Sequence, residues 1–287
     1  ILVCLVGSEM CIRDSGSADI NHFQAAGGTG LLLGELINAG LMHGNATVCF
    51  GGTLEKACLE PFLDESSLRW RAATDESLDL DVIRPANDAF HPEGGIRLLQ
   101  GNLGRSLIKT SAVAAEQQRI TAPAVVISDQ AELKALFEQG ELDRDCVVVA
   151  RFQGPAANGM PELHQLMPIL GVLQDRGHAI ALVTDGRLSG ASGKVPAAIH
   201  VTPEAAKGGA IGRIQDGDVI SLDVAAGELC VAVDEQTLAN RHHPDTPMAR
   251  NTVGRGLFKF SREVVTDAES GGCTLFEPLV PDDLLKG

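Results

Sequence analysis

From residue 96 onward the chain alternates short Val/Ile-rich runs with turn residues, and this alternation constrains the fold more than any other feature. The runs lie at residues 96–99, 124–127, 146–150, 179–183, 199–202, 219–222 and 228–233. Apolar runs this short, bounded by Gly, Pro, Asn and Asp, have strand length rather than helix length. Residues 129–139, 160–175 and 202–207 carry helical patterns between some of them. The phrase Asp216-Gly-Asp-Val-Ile-Ser-Leu-Asp223 reads as a turn followed by a barrel or sandwich strand. The pattern is that of a β-rich domain with flanking helices.

The upstream part has a different character. Residues 19–43 are helix-rich: Asp19 is a candidate cap, and residues 31–40 form a helix closed by Gly40. A second helical piece is predicted near residues 54–63. The character changes around Pro92-Glu-Gly-Gly95, which predicts a boundary there. The expected division is therefore 18–95, a β-rich domain at 96–236, and a helical and loop tail at 237–287. Residues 1–17 open on an apolar run with neither a basic segment nor an initiator Met, and their continuation has no period. They are expected to be a non-native segment.

Composition narrows the function. Hydrophobic residues at 44% and charged residues at 21% are ordinary for a globular protein, and with nine Phe, one Trp and no Tyr the core must be aliphatic. A net charge of −15 argues against nucleic acid and against an acidic membrane surface. It leaves room for a small anion, because a local basic cluster outweighs the distant field at short range. No apolar run approaches the ~20 residues of a membrane helix. Seven cysteines, an odd number at irregular spacing without a CxxC, predict neither a disulfide framework nor a zinc set. They suit the reducing cytoplasm. The His242-His243 pair falls in a Pro-rich stretch and reads as a solvated loop.

The densest chemistry lies in Thr184-Asp-Gly-Arg-Leu-Ser-Gly-Ala-Ser-Gly-Lys-Val-Pro196, directly after an apolar run. Glycines let the backbone approach a ligand, and N–H groups in such a loop form an anion-binding concavity. Gly193-Lys194 suggests a P-loop, but Leu188 stands where the first glycine is needed and Val195 where the Ser or Thr is needed. What remains is a generic anion cradle with two hydroxyls, Ser189 and Ser192. Gly154-Pro-Ala-Ala-Asn-Gly-Met-Pro-Glu162 is a second candidate. Its Pro161 suits a first helical turn, so Glu162 either complements the helix dipole or serves as a hard-metal ligand. In Gly101-Asn-Leu-Gly104, Asn102 and the following Lys109 are candidate ligand contacts, although a tight turn and an amphipathic strand explain the segment more simply.

These stretches carry a resemblance. Asp19-Ile-Asn-His-Phe-Gln-Ala-Ala-Gly-Gly28, Gly101-Asn-Leu-Gly-Arg105, Gly159-Met-Pro-Glu162 and Thr184-Asp-Gly-Arg-Leu-Ser-Gly190 resemble the dihydroxy-acid and sugar-acid dehydratase family, over residues 18–276. The run from Asp185 to Ala205 and Leu142-Asp-Arg-Asp-Cys-Val-Val-Val149 are similar to the branch acting on 6-phospho-D-gluconate. The resemblance implies an α/β fold: a C-terminal β-barrel-like domain with flanking helices, preceded at 18–95 by a remnant of the N-terminal α/β domain.

It also implies a cytoplasmic hydro-lyase, homodimeric at full length, that converts this phosphorylated sugar acid to 2-dehydro-3-deoxy-6-phosphogluconate. Its cofactors would be a 4Fe-4S cluster, acting as Lewis acid on the 3-hydroxyl, and Mg. Carried over by motif, Ser189 is the base that takes the C2 proton and Glu162 is a Mg ligand. Asp185 and Arg187 belong to the substrate site, and Ser192 and Lys194 are expected to hold the phosphate. The cluster motifs are not found around any of the seven cysteines, so the chain is expected to be a C-terminal half, inactive alone, with the cluster ligands in the N-terminal part. The rivals are a dehydratase of unphosphorylated sugar acids or dihydroxy acids, and an inactive anion-binding barrel module.

Overall fold

The computed structural model describes residues 18–91, 94–189, 194–247, 256 and 258–275. The expected non-native segment, 1–17, and Ser192 lie outside the described residues. The chain divides into two compact units at Gly94/Gly95.

In the first unit, helix α1 (Ile20–Ala25) is capped by Asp19, whose side chain accepts from the Asn21 and His22 amides. Helix α2 (Gly28–Asn38) follows, and Ala26, Leu31 and Ile83 form a small buried cluster. The helix expected near 54–63 is not there. Leu54–Ala57 is one 3-10 turn, and the chain then enters strand β1 (Leu59–Asp64), which pairs antiparallel with β2 (Ser67–Ala72). Pro61 lacks an N–H and clashes with a preceding helical turn, whereas an isolated hairpin has room for it. Every residue of β2 is exposed, including Trp70.

The second unit is a closed eight-stranded barrel. Its strands in chain order are β3 (Ile96–Gly101), β4 (Gly104–Lys109), β5 (Arg119–Ile127), β6 (Cys146–Ala150), β7 (Ile180–Thr184), β8 (Ala197–Thr202), β9 (Val219–Asp223) and β10 (Glu228–Val231). Around the circle the order is β10-β3-β4-β8-β7-β6-β5-β9, and β5 to β8 are mutually parallel. β5 shows how sequence follows environment. Its first half alternates while paired antiparallel with β9; its second half, Ala124 to Ile127, turns apolar where it joins β6. β6 and β7 are buried at every position, as parallel strands covered on both faces must be.

The pleat divides these strands between two cores. Val147, Val149, Ala181 and Val183 point into the barrel. Cys146, Val148, Ile180 and Leu182 point outward, under helices α3 (Gln130–Glu138) and α5 (Met167–Asp175), where they meet Leu133, Leu170 and Leu173. Between β6 and α5 runs a short helix, α4 (Pro155–Asn158). Two expected helices are shorter than the sequence suggests. The 160–175 run becomes a 3-10 turn at His164–Leu166 followed by α5, because Gly159 leaves α4 in the left-handed region and Met160 also has positive φ. The 202–207 run is only a 3-10 turn, Ala205–Lys207, with Pro203 ahead of it. Beyond the barrel are α6 (Glu235–Asn240) and α7 (Lys259–Val264). His243 is not solvated as a loop residue would be: it packs edge-on to Phe152, 6.1 Å between ring centroids.

Closure is thin at one place. β10 meets β3 at a single pair, Glu228 with Gln100, and the Gln100 amide donates to Gly227 O at 2.9 Å. The Asn102 side chain extends the contact: its Nδ2 donates to Val231 O (2.8 Å) and its Oδ1 accepts from the Val231 amide (2.8 Å). A Cβ on Gly101 would lie 2.0 Å from Leu229 O, so only glycine admits this approach. Asn102 is thus a structural clasp on the β3–β4 turn.

At the other end, one carboxylate ties three loops. Asp185, fully buried after β7, accepts from the amides of Gln153 (2.8 Å) and Phe152 (3.2 Å) after β6 and of Ala205 (2.9 Å) after β8. Glu204, 2% exposed, accepts from the Ala156 and Ala157 amides at 3.0–3.1 Å. Burial raises the Asp185 pKa to about 6; the Glu204 charge acts in the same direction, and the three amides oppose it.

Two outcomes are expected. Leu182→Ala leaves a cavity under α5 and should lower unfolding free energy by about 2–5 kcal/mol in urea melts. Because the folded pKa of Asp185 lies above its ordinary 3.8, its contribution is complete below about pH 4 and is lost as pH rises through about 6. Urea midpoints measured from pH 4 to 7 should fall more steeply for the native chain than for Asp185→Asn. Parallel curves would contradict the assignment.

Candidate functional site

The tie at Asp185 fixes where the loops after β6 and β7 meet. After α4 the chain turns at Gly159 (φ 71°) and runs beside the loop after β7, so that Glu162 bridges Arg187 in parallel. Arg187 Nε donates to Met160 O (2.8 Å) and its Nη1 to Glu162 Oε2 (3.1 Å). The Ser189 amide donates to Glu162 Oε1 at 2.9 Å. Glu162 therefore sits in a two-loop bridge, not in the first turn of a helix as its sequence context suggests. Gly186 makes the approach possible: a Cβ there would lie 2.7 Å from Gln153 Cβ and 3.0 Å from Leu163 Cδ1.

The structure thus brings together Glu162, Arg187 and Ser189. Asp185 is next to them in sequence, but its carboxylate faces the three backbone amides inside the protein. Lys194 stands apart. Its Nζ pairs with both oxygens of Asp175 at the end of α5 (2.8 and 2.9 Å). Gln174 donates to Lys194 O, and Leu182 to Pro196 O, which sets Lys194 beside the end at which the chain enters β7.

Sequence reasoning missed His200. The β4–β8 register shifts here: Arg105 faces Thr202, while Leu107 faces Ile199, so β8 carries one extra residue. His200 takes it up with φ 57°, its amide donating to Gly186 O at 2.9 Å. Bulges re-aim side chains beside functional sites, and a left-handed backbone on a non-glycine residue marks a conformation held by its surroundings. Burial and the nearby Arg187 charge lower the pKa of the half-buried imidazole, which keeps it neutral at pH 7. The available signal was a lone titratable residue inside an apolar strand, Ala197-Ala-Ile-His-Val-Thr202.

His200 lines two clefts. One, about 210 Å³, is mainly apolar, with Leu107, Leu188 and Ile199 around Ser189. The other, about 710 Å³, lies between the α4 turn, Arg187 and the tail segment that carries Ser261 and Arg262. The tail residues were also missed, because their place depends on docking: Lys207 Nζ donates to Val265 O (2.7 Å), and Arg105 pairs with Glu269 (3.1 Å).

For a metal, Glu162 has lone pairs left after accepting two hydrogen bonds. Among the described residues, however, no group of three or more His, Cys, Asp or Glu side chains converges on a point. The described cysteines, Cys49, Cys58, Cys146, Cys230 and Cys273, are free thiols, and burial pushes Cys146 up to about 11, so it stays protonated. The described residues alone do not fit a cluster. Nor is there, among them, a helix long and apolar enough to cross a membrane.

Comparison with known proteins shows the family. The chain is 52% identical over 269 residues to a phosphogluconate dehydratase of Pseudomonas aeruginosa and 54% identical over 265 residues to that of Escherichia coli K12. These matches cover 93% and 91% of this chain but 44% of each relative, so the chain spans less than half the length of the curated relatives it matches. A dihydroxy-acid dehydratase of Oleidesulfovibrio alaskensis is 36% identical over 266 residues, covering 91% of this chain and 45% of that protein. Residues 81–272, which include the whole barrel, match the family described as dihydroxy-acid/6-phosphogluconate dehydratase C-terminal, and the chain belongs to that family.

Proposed function

We propose that the chain forms the barrel part of a hydro-lyase that dehydrates 6-phospho-D-gluconate to 2-dehydro-3-deoxy-6-phospho-D-gluconate. The observation that carries this reading is the convergence of Ser189, Glu162 and Arg187 at the ends of parallel strands, in a chain 52–54% identical to phosphogluconate dehydratases.

The residues take these roles. Ser189, as alkoxide, removes the C2 proton; the neutral imidazole of His200 lines the same cleft and is a proton acceptor for the hydroxyl. The product enol then tautomerises to the keto acid. Glu162 holds the Ser189 loop through its amide and keeps lone pairs for one bond to a divalent cation such as Mg. A bound 4Fe-4S centre would supply Lewis acidity toward the 3-hydroxyl, from ligands beyond the described residues. Arg187 locks Glu162 and keeps further N–H donors on its fork. Asp185 acts by fastening the three loops. The phosphate role expected of Lys194 requires its pair with Asp175 to open. Free thiols support a reducing compartment, the cytoplasm. A homodimer is proposed for the longer protein.

The test is a chimera in which this chain replaces the matching region of the Pseudomonas relative, assayed after iron reconstitution. It should dehydrate 6-phosphogluconate in preference to gluconate or a dihydroxy acid. Ser189→Ala should lower kcat by about 10²–10⁴-fold with little change in KM. Preference for an unphosphorylated acid would move the reading to the dihydroxy-acid branch, and a folded but inactive chimera would favour an anion-binding module. Glu162→Gln should lower kcat and raise the Mg concentration for half-maximal rate; an unchanged Mg dependence would remove Glu162 as a ligand.

A further inference from the structure

The β1–β2 hairpin wears its apolar side outward. Its register sets Leu59 against Ala72, Pro61 against Trp70 and Leu63 against Leu68, so one face holds six uncharged residues, all of them exposed. Leu63 is 74% exposed, Leu68 62% and Trp70 58%. The charges lie on the other face: Arg71 pairs with Glu60 at 2.9 Å and Arg69 with Asp64 at 2.8 Å. The Arg71 guanidinium also lies 5.3 Å from the centroid of the Phe62 ring on that side. On β1 this charged face is the half-buried one. A sheet with one covered face ordinarily covers its apolar side. A two-stranded hairpin is marginal in water unless something covers its apolar face.

The free edges of the hairpin resist a further strand. Pro61 has no N–H to offer a strand added beside β1. Antiparallel pairing of β2 with β2 of another copy, in either near-central register that keeps the faces aligned, sets an arginine opposite an arginine, and like charges directly opposite repel. What remains open is the face itself, and two sheet faces pack about 10 Å apart.

The chemistry of the face selects its occupant. With a net charge of −15 the chain repels its own copy at a distance. Two copies therefore associate best where no carboxylate has to be buried, and the apolar face of the hairpin meets that condition. An uncharged apolar face is complementary to itself, and a two-fold axis through it gives a closed dimer. The area agrees. The exposed parts of Leu59, Leu63, Leu68 and Trp70 amount to on the order of 500 Å² per copy, a large patch for a monomer. Two copies together bury on the order of 1,000 Å², the threshold of a specific interface.

We propose that the apolar face of the β1–β2 hairpin is a contact between two copies of this chain, packed face to face about a two-fold axis with Leu63, Leu68 and Trp70 at its centre. The inference uses no residue of the Ser189 site. It gives a surface to the dimer proposed for the longer protein and is independent of the hydro-lyase reading.

The chain's one tryptophan lies in this face, so its fluorescence reports on the contact directly. Sedimentation velocity should show a reversible monomer–dimer equilibrium with Kd on the order of 1–100 µM, as an interface of threshold size implies. Trp70 emission should move to shorter wavelength as the dimer forms. Leu68→Lys and Leu63→Lys bury a charge at the contact and should each weaken dimerisation at least about tenfold, with unchanged circular dichroism. Arg69→Ala, on the opposite face, should leave Kd within about twofold.

The proposal is overturned if the chain stays monomeric up to about 200 µM, if it grows into open-ended oligomers, or if it dimerises with no change in Trp70 emission. It is also overturned if both lysine variants dimerise as the native chain does. In the chimera with the Pseudomonas relative, Leu68→Lys should give monomers; a chimera that stays dimeric with this substitution assigns the face to cover within one copy and defeats the proposal. A chimera whose dimer depends on Leu68 but which turns over no phosphogluconate upholds the interface and defeats the hydro-lyase reading.

Discussion

The site depends on one buried carboxylate. Asp185 has no exposure to solvent, and its partners are backbone amides from the segments after β6 and β8. Burying a charge beside Glu204 is costly, and three N–H donors offset much of that cost. The arrangement is available because β6, β7 and β8 are parallel, which delivers three chain exits to one end of the barrel. Antiparallel neighbours would have sent alternate exits to the opposite end. The bridge between Glu162 and the Ser189 amide therefore rests on topology first and on side chains second.

The barrel strands were legible where burial was complete. Residues 146–150 and 179–183 are continuous apolar runs, and they are strands because both faces are covered. The hairpin at Leu59–Asp64 and Ser67–Ala72 was not legible as such: its alternation is half charged, and the exposed second strand carries no burial signal. Helix length was overestimated after Gly159 because positive φ at two successive residues is a backbone property that an apolar count does not contain.

At the site, Ser189 and Glu162 stood out because polar residues after an apolar run are conspicuous. The sequence did not show that they share a hydrogen bond, since 27 positions separate them. Lys194 looked equivalent to Arg187 in one loop, yet its Nζ pairs with Asp175 at the end of α5. His200 was hidden inside a strand pattern, and its aim comes from a bulge that depends on the partner strand's register. Arg262 was hidden for the opposite reason: it lies far along the chain, in a segment whose position is set by tertiary contacts with Lys207 and Arg105.

The Asn102 clasp has a mechanical meaning. Elsewhere in the circle, neighbouring strands share a ladder of backbone bonds; between β3 and β10 a side-chain amide stands in for part of that ladder. A peptide group is released only when its strand moves, whereas an amide on a side chain is released by rotating about χ1. The barrel thus has a fastener that is a side chain and not a strand. The Ser189 loop follows β7, which β4 and β8 separate from that seam, so the fastener and the site stand on different strands of the circle.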